Sequence, residues 1–297
     1  MKRWLLLIVL LGACGAALYY SQRHKTETRV GPEAMLNALA DTQREISRLP
    51  AGLVRLSDRD EVRIGDAMAQ NYQARFAATA PAEADLEHYI NSVGQTLVSR
   101  KRRALDYKFH YLPDAHFVNA FALPGGHVFV AKGLLLLMAS EDELASVLGH
   151  EIEHIENYHC NERFALQARL RHVPLGELVT LPVELFQAGY SKEQETEADR
   201  DGITLAVAAG YSPQGAVQFF QTLQRLHPAH VTVAYSPEQE FSRVAVEGIA
   251  GYFRSHPLPA EREAQVREME RSQHWPQPPL RPLRVRPEPI KQVNAQP

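Results

Sequence analysis

The stretch Leu148-Gly149-His150-Glu151-Ile152-Glu153-His154-Ile155-Glu156-Asn157-Tyr158-His159-Cys160 holds three histidines, three glutamates and a cysteine. On a helix at ~100° per residue, His150 and His154 lie about 40° apart and one turn apart in height. Two imidazoles so placed can grip one tetrahedral zinc ion. His159 projects about 180° from His150, on the side of Leu148, Ile152 and Ile155, the stripe expected to enter the core. Glu156 projects about 140° from the pair. Both drop out of the ligand set on this projection. Glu151 and Glu153 sit about 80° from the midpoint of the pair, on opposite sides, so angle does not choose between them. The known His-Glu-x-x-His pattern assigns the general base to Glu151. Cys160 reads as an ordinary buried thiol.

Zinc held by two histidines needs a third protein ligand and one position left open. The stretch from Tyr190 to Gly202, YSKEQETEADRDG, offers carboxylates. Glu195 and Asp199 are at i and i+4 and share a helix face. One can ligate the metal while the other accepts the N–H of a ligand histidine and fixes its tautomer. Glu193 and Glu197 compete for these roles, and spacing alone does not exclude them.

The chain has 297 residues, 45% of them hydrophobic, enough for one good-sized core plus appendages. A formal charge of −3 gives no basic footprint for nucleic acid. The two cysteines imply no disulfide framework, because Cys14 lies in an N-terminal targeting segment. There Lys2 and Arg3 precede an apolar run that starts at Trp4. Leu11-Gly12-Ala13-Cys14 resembles a lipoprotein processing box, which would leave lipid on Cys14. Alternatively the run continues to Tyr20 as an uncleaved anchor, at the short edge of what spans a bilayer. Residues 1–20 are therefore expected to be a signal or anchor and 21–56 a tether with a lead-in helix.

Residues 57–272 read as the folded domain. Apolar positions at Val62, Ile64, Met68 and Tyr72 predict one helix, and Leu86, Tyr89, Ile90, Val93 and Leu97 a second. Residues 107–133 are β-branched and aromatic, punctuated by Pro113, Pro124, Gly125 and Gly126, and predict two or three strands. Ser140 with Glu143 forms a capping box for the histidine helix. Further helices are expected at about 162–188, 191–209, 213–226, 237–254 and 259–272. The order predicts an α+β fold, mainly helical, with a small sheet whose edge strand borders the metal. Residues 273–297 are proline-rich and expected to be a disordered tail.

The chain resembles the zinc metallopeptidase family that includes the HtpX heat-shock protease, the Oma mitochondrial protease, the CAAX prenyl proteases and the periplasmic BepA and LoiP proteins. Asn119-Ala-Phe, Pro124-Gly-Gly-His127, Glu143-Leu-Ala, His150-Glu-Ile-Glu-His154, Glu195 with Ala198-Asp199, and Ser255-His256-Pro257 with Arg262 carry the resemblance, in the family's order from about residue 57 to 272. It implies His150, His154 and Glu195 as ligands of one zinc ion, Glu151 as base and Asp199 as partner of a ligand histidine. His256 is implied as a residue near the metal that either covers it at rest or stabilises the oxyanion. Arg262 is implied as a residue that faces the substrate backbone or structures that loop. Gly126, His127, Val128, Phe129 and Val130 are implied as the active-site edge strand, with Asn119 beside it. The chain lacks the long C-terminal repeats and the further apolar spans of some relatives, and is most similar to single-domain lipoprotein members.

The expected function is a zinc-dependent endopeptidase at the periplasmic face of a bacterial envelope. Its expected substrates are unfolded or misassembled envelope polypeptides, with envelope assembly machinery as a partner. A different class of reading is a chaperone-like binder of such proteins with a latched zinc site. A zinc aminopeptidase is the third option, although no obvious acidic anchor for a free amine is present.

Overall fold

A computed structural model of the chain describes residues 55–75, 81–170, 189–226, 252–253, 255–256 and 261–288. These lie in Ala40–Pro297, one of two compact units of the chain. Expectations for residues 1–54, 171–188, 237–251 and 289–297, and for Pro257, fall outside the described residues. Among the described residues no helix is long and apolar enough to cross a membrane.

Helix α1 (Asp58–Arg75) starts at Ser57, whose hydroxyl accepts the Asp60 N–H. It buries Ile64, Met68 and Tyr72. Helix α2 (Pro81–Val98) buries Leu86, Tyr89, Ile90, Val93 and Leu97, the predicted stripe. The three strands are β1 (Lys108–Leu112), β2 (Ala120–Leu123) and β3 (His127–Ala131). A one-turn 3-10 helix, Pro124–Gly126, joins β2 to β3. Gly125 and Gly126 have φ of 79° and 100°, which side chains rarely tolerate. Short helix α3 (Lys132–Leu135) leads to α4 (Glu141–Glu156), α5 (His159–Leu170), α6 (Lys192–Ala208), α7 (Gln214–Arg225) and α8 (Glu261–Gln273).

The α+β expectation holds, but a different strand forms the edge at the site. The sheet order is β1-β3-β2, with β1 parallel and β2 antiparallel to β3. The segment from Gly126 to Val130 is therefore central, not an edge. The Pro-Gly-Gly turn folds β2 onto one side of β3, and β1 occupies the other. Edge pairing with a peptide is closed to β3, and β2 is the edge that reaches the metal helix. Alternation splits the core in two. Val128 and Val130 join the cluster of α2 and α4, while Phe129 and Ala131 join that of α1 and α5. His127 points with Phe129. Its Nε2 is 2.9 Å from Asp66 on α1, and its Nδ1 is 2.9 Å from His110 on β1.

Helices α4 and α6 meet glycine to glycine. A Cβ on Gly149 would lie 2.5 Å from the Gly202 carbonyl oxygen, and one on Gly202 would lie 2.6 Å from Gly149 C. Only hydrogen at both positions permits this backbone approach. The C-terminal segment also differs from expectation. Residues 281–286 pack against the start of α4, where Ser140 bridges Pro282 and Leu283 is buried. The Arg281 carbonyl accepts the Glu141 N–H, Asp142 accepts the Arg281 N–H, and Arg284 pairs with Glu141 at 2.8 Å. The orphan N–H groups and acidic first turn of α4 attract backbone carbonyl and arginine, which composition alone does not reveal.

Two outcomes follow. Gly202→Ala is expected to cost about 1–3 kcal/mol by overpacking the crossing, read as a lower urea midpoint at unchanged slope. Burial, partly opposed by Asp66, lowers His127 to about 4. The unfolded chain takes up that proton near pH ~6.5, so unfolding binds protons across this window. Stability should fall as pH drops from about 6.5 to 4, and His127→Gln should flatten that slope in thermal melts.

Candidate metal centre

Two capped helices aim the site. The capping box of Ser140 and Glu143 starts α4, as expected. A second box, Ser191 with Gln194, starts α6; it escaped the sequence reading, although Ser-x-x-Gln is its signal. With the register of α6 so fixed, Glu195 and Asp199 are buried toward α4, Glu193 is exposed and Glu197 is half-buried.

His150, His154, Glu195 and His256 converge, with one ligand atom from each lying within 4.8 Å of the others. His150 Nε2 and His154 Nε2 are 3.0 Å apart. Glu195 lies 3.6 Å from the first and 3.4 Å from the second. His256 Nδ1 is 3.2 Å from both His150 Nε2 and Glu195 Oε1. On its far side His150 Nδ1 is 2.9 Å from Asp199. A carboxylate only accepts, so the neutral imidazole carries its proton on Nδ1 and a lone pair on Nε2. Lone pairs converging from imidazoles and a carboxylate repel unless a cation lies between them. The donor set fits a zinc ion, which takes nitrogen and oxygen ligands in tetrahedral array.

The buried carboxylates differ in character. Burial raises Glu195, but His256 and Arg262 outweigh it and hold the group well below the usual carboxylate range. Burial likewise opposes, and Arg262 and His150 overcome, in Asp199, which is also lowered. In Glu151 burial prevails over His256 and His150, and its pKa is raised. Neither Glu151 oxygen receives a hydrogen bond among the described residues. His256 Nε2 lies 3.3 Å from its Oε1. A proton acceptor beside the converging ligands is thus left free for a substrate or water.

The structure separates the candidates that angle left open. Glu153 turns to Arg102 at 2.7 Å, away from the group, while Glu151 faces His256. Glu156 accepts the Arg102 and Arg103 N–H groups. Arg262 is buried with its guanidinium on Asp199 and, at 2.9 Å, on Glu195. Its fork is occupied there. Asn119 accepts from Ser255 Oγ at 3.2 Å and so props the segment carrying His256. His256 Nε2 in turn is 3.3 Å from the carbonyl of Ala120, at the outer edge of β2. Cys160 is a buried thiol, 3.2 Å from the Tyr190 hydroxyl.

Two neighbours of His154 escaped the sequence reading. His159 lies against it because α4 stops at Glu156 and Tyr158 takes a φ of 63°. The chain turns there, so a straight helical projection misplaces His159. No glycine marks the turn. Tyr190 stacks on the His154 ring, with centroids 3.7 Å apart, and no sequence pattern pointed to it.

Comparison with known proteins agrees with this geometry. The chain is 32% identical over 193 residues to the beta-barrel assembly-enhancing protease of Escherichia coli K12, covering 57% of this chain and 38% of the relative. Its match to the protein of that name from Yersinia pestis is 32% over 180 residues, 53% of this chain and 37% of the relative. It is 36% identical over 117 residues to the mitochondrial metalloendopeptidase OMA1 of Arabidopsis thaliana, 37% of this chain and 24% of the relative. The matched stretch spans less than two fifths of each relative's own length. The model of peptidase family M48 matches residues 83–270, a span that contains every side chain of the converging group. The chain belongs to peptidase family M48.

Proposed function

We propose that the chain is a zinc-dependent endopeptidase, with one zinc ion held by His150, His154 and Glu195. The observation that carries this reading is the convergence of those side chains beside Glu151, a buried carboxylate with no hydrogen bond among the described residues. Zinc, when bound, acidifies an attacking water and polarises the scissile carbonyl. Glu151 takes the proton of that water and passes it to the leaving amine, a role its raised pKa suits. Asp199 fixes the tautomer of His150. Arg262 keeps Asp199 and Glu195 ionised beneath the site. The outer edge of β2 at Ala120 is the place for an extended peptide to pair.

Residues 57–272 form the peptidase domain on this reading. The Lys2-Arg3 and apolar N-terminal pattern supports a tether to the envelope membrane, by lipid on Cys14 or by a single span, with the domain on the periplasmic side. The relatives named for β-barrel assembly support unfolded or misassembled envelope polypeptides as substrates and assembly machinery as a partner.

Glu151→Gln is expected to keep zinc but lose about 10²–10⁴-fold in casein cleavage. Undiminished cleavage would sink the base assignment. Stoichiometric zinc in His150→Ala or Glu195→Ala would sink the ligand set.

One observation favours a second, latched state. His256 Nδ1 sits where a fourth ligand would, while its Nε2 faces the Ala120 carbonyl at the peptide edge. In this resting arrangement the domain binds misfolded proteins and cuts them rarely. His256→Ala should then raise basal casein cleavage. A fall in cleavage would instead assign His256 to the transition state.

A further inference from the structure

We propose that His159, backed by Glu197, is the positioning residue that fixes the metal-binding tautomer of His154. The proposal rests on the reading of His154 as a zinc ligand. His154 presents Nε2 to the converging group, 3.0 Å from His150 Nε2 and 3.4 Å from Glu195. Its other nitrogen, Nδ1, is 3.0 Å from Nδ1 of His159. Both rings are buried.

Proton counting sets the chain. Two imidazole nitrogens at hydrogen-bond distance share one proton, and a neutral imidazole has one donor and one acceptor. Metal binding needs the lone pair of His154 at Nε2, so its proton is on Nδ1 and His159 accepts through Nδ1. The proton of His159 then sits on Nε2, which faces Glu197 Oε2 at 3.4 Å. That carboxylate can only accept, so the outer end of the relay dictates the inner one.

His154 is thus the counterpart of His150. Asp199 receives the Nδ1 proton of His150 directly, whereas an imidazole stands between His154 and its carboxylate. Tyr190 supplies the remaining restraint. Its ring lies 3.7 Å from the His154 ring at 16°, which limits tilt but leaves in-plane rotation free. The His159 hydrogen bond removes that rotation. The left-handed Tyr158, which lies in the turn between α4 and α5, is what brings His159 to this position.

The test compares His159→Leu and His159→Asn in the full chain. The amide oxygen of asparagine stands near the position of imidazole Nδ1 and restores the acceptor. Zinc affinity is read by competition with a chromogenic chelator, and ligand geometry by the visible bands of the cobalt-substituted protein. His159→Leu should bind zinc about 10–100-fold more weakly and shift the cobalt bands, with His159→Asn within about threefold of wild type. Wild-type affinity and bands in His159→Leu, or an Asn variant as impaired as Leu, would overturn the proposal. Should His159→Leu fail to fold, Glu197→Ala reads the relay from its half-exposed end. A loss of about threefold or more is expected there, and unchanged affinity overturns it. Stoichiometric zinc in His154→Ala would instead overturn the ligand reading underneath.

Discussion

The contact of Gly149 with Gly202 is the constraint on which the site depends. One residue beyond Gly149 stands His150, and one turn or two before Gly202 stand Asp199 and Glu195. A methyl group on either glycine would meet backbone of the other helix at 2.5–2.6 Å. With hydrogen there, Glu195 of α6 brings a ligand atom within 4.8 Å of those of His150 and His154, and Asp199 comes within 2.9 Å of His150 Nδ1. A wider crossing would admit water between them and loosen every distance at once.

Close approach brings an electrostatic cost that the surrounding residues offset. Glu151, Glu195 and Asp199 are buried together, and burial alone penalises each ionised carboxylate. Arg262 answers for two of them, Asp199 and Glu195, through one planar guanidinium. Glu151 receives no such partner, and its raised pKa is the consequence. The same neighbourhood therefore yields two kinds of carboxylate, one held ionised and one ready to exchange a proton. Placement relative to Arg262 decides which is which.

Much of this was legible in sequence, and the failures have physical causes. The i, i+4 spacing of His150 and His154, and of Glu195 and Asp199, is a local property of one helix, and local properties survive folding. The choice among Glu151, Glu153, Glu193 and Glu197 needed the partner element. Only the loop carrying Arg102 shows where Glu153 goes, and only His159 shows where Glu197 goes. Edge or centre is a property of the whole sheet, and β3 became central when β1 paired parallel to it. His159 was misplaced because a non-glycine residue, Tyr158, takes a left-handed conformation. Residues 273–297 were expected to be a disordered tail, but the acidic start of α4 gives the arginines and backbone of 281–284 a partner.

His256 ties these parts together. Its Nδ1 faces the ligands, while its Nε2 is 3.3 Å from both the Glu151 carboxylate and the Ala120 carbonyl. One imidazole therefore touches the converging ligand atoms, the Glu151 carboxylate and the outer edge of β2, which on the proposed reading are the three things a peptide would need. On the proposed reading, a rotation that withdraws this ring frees all of them together. Partial opening has little use, because freeing the edge without the base binds a peptide that is not cut. Asn119 holds Ser255, the residue beside the ring, and Asn119 itself leads into β2. On the proposed reading, the strand that would receive the peptide is thus joined through Asn119 and Ser255 to the residue that covers it, and a peptide pairing at Ala120 would compete with His256 for the same carbonyl.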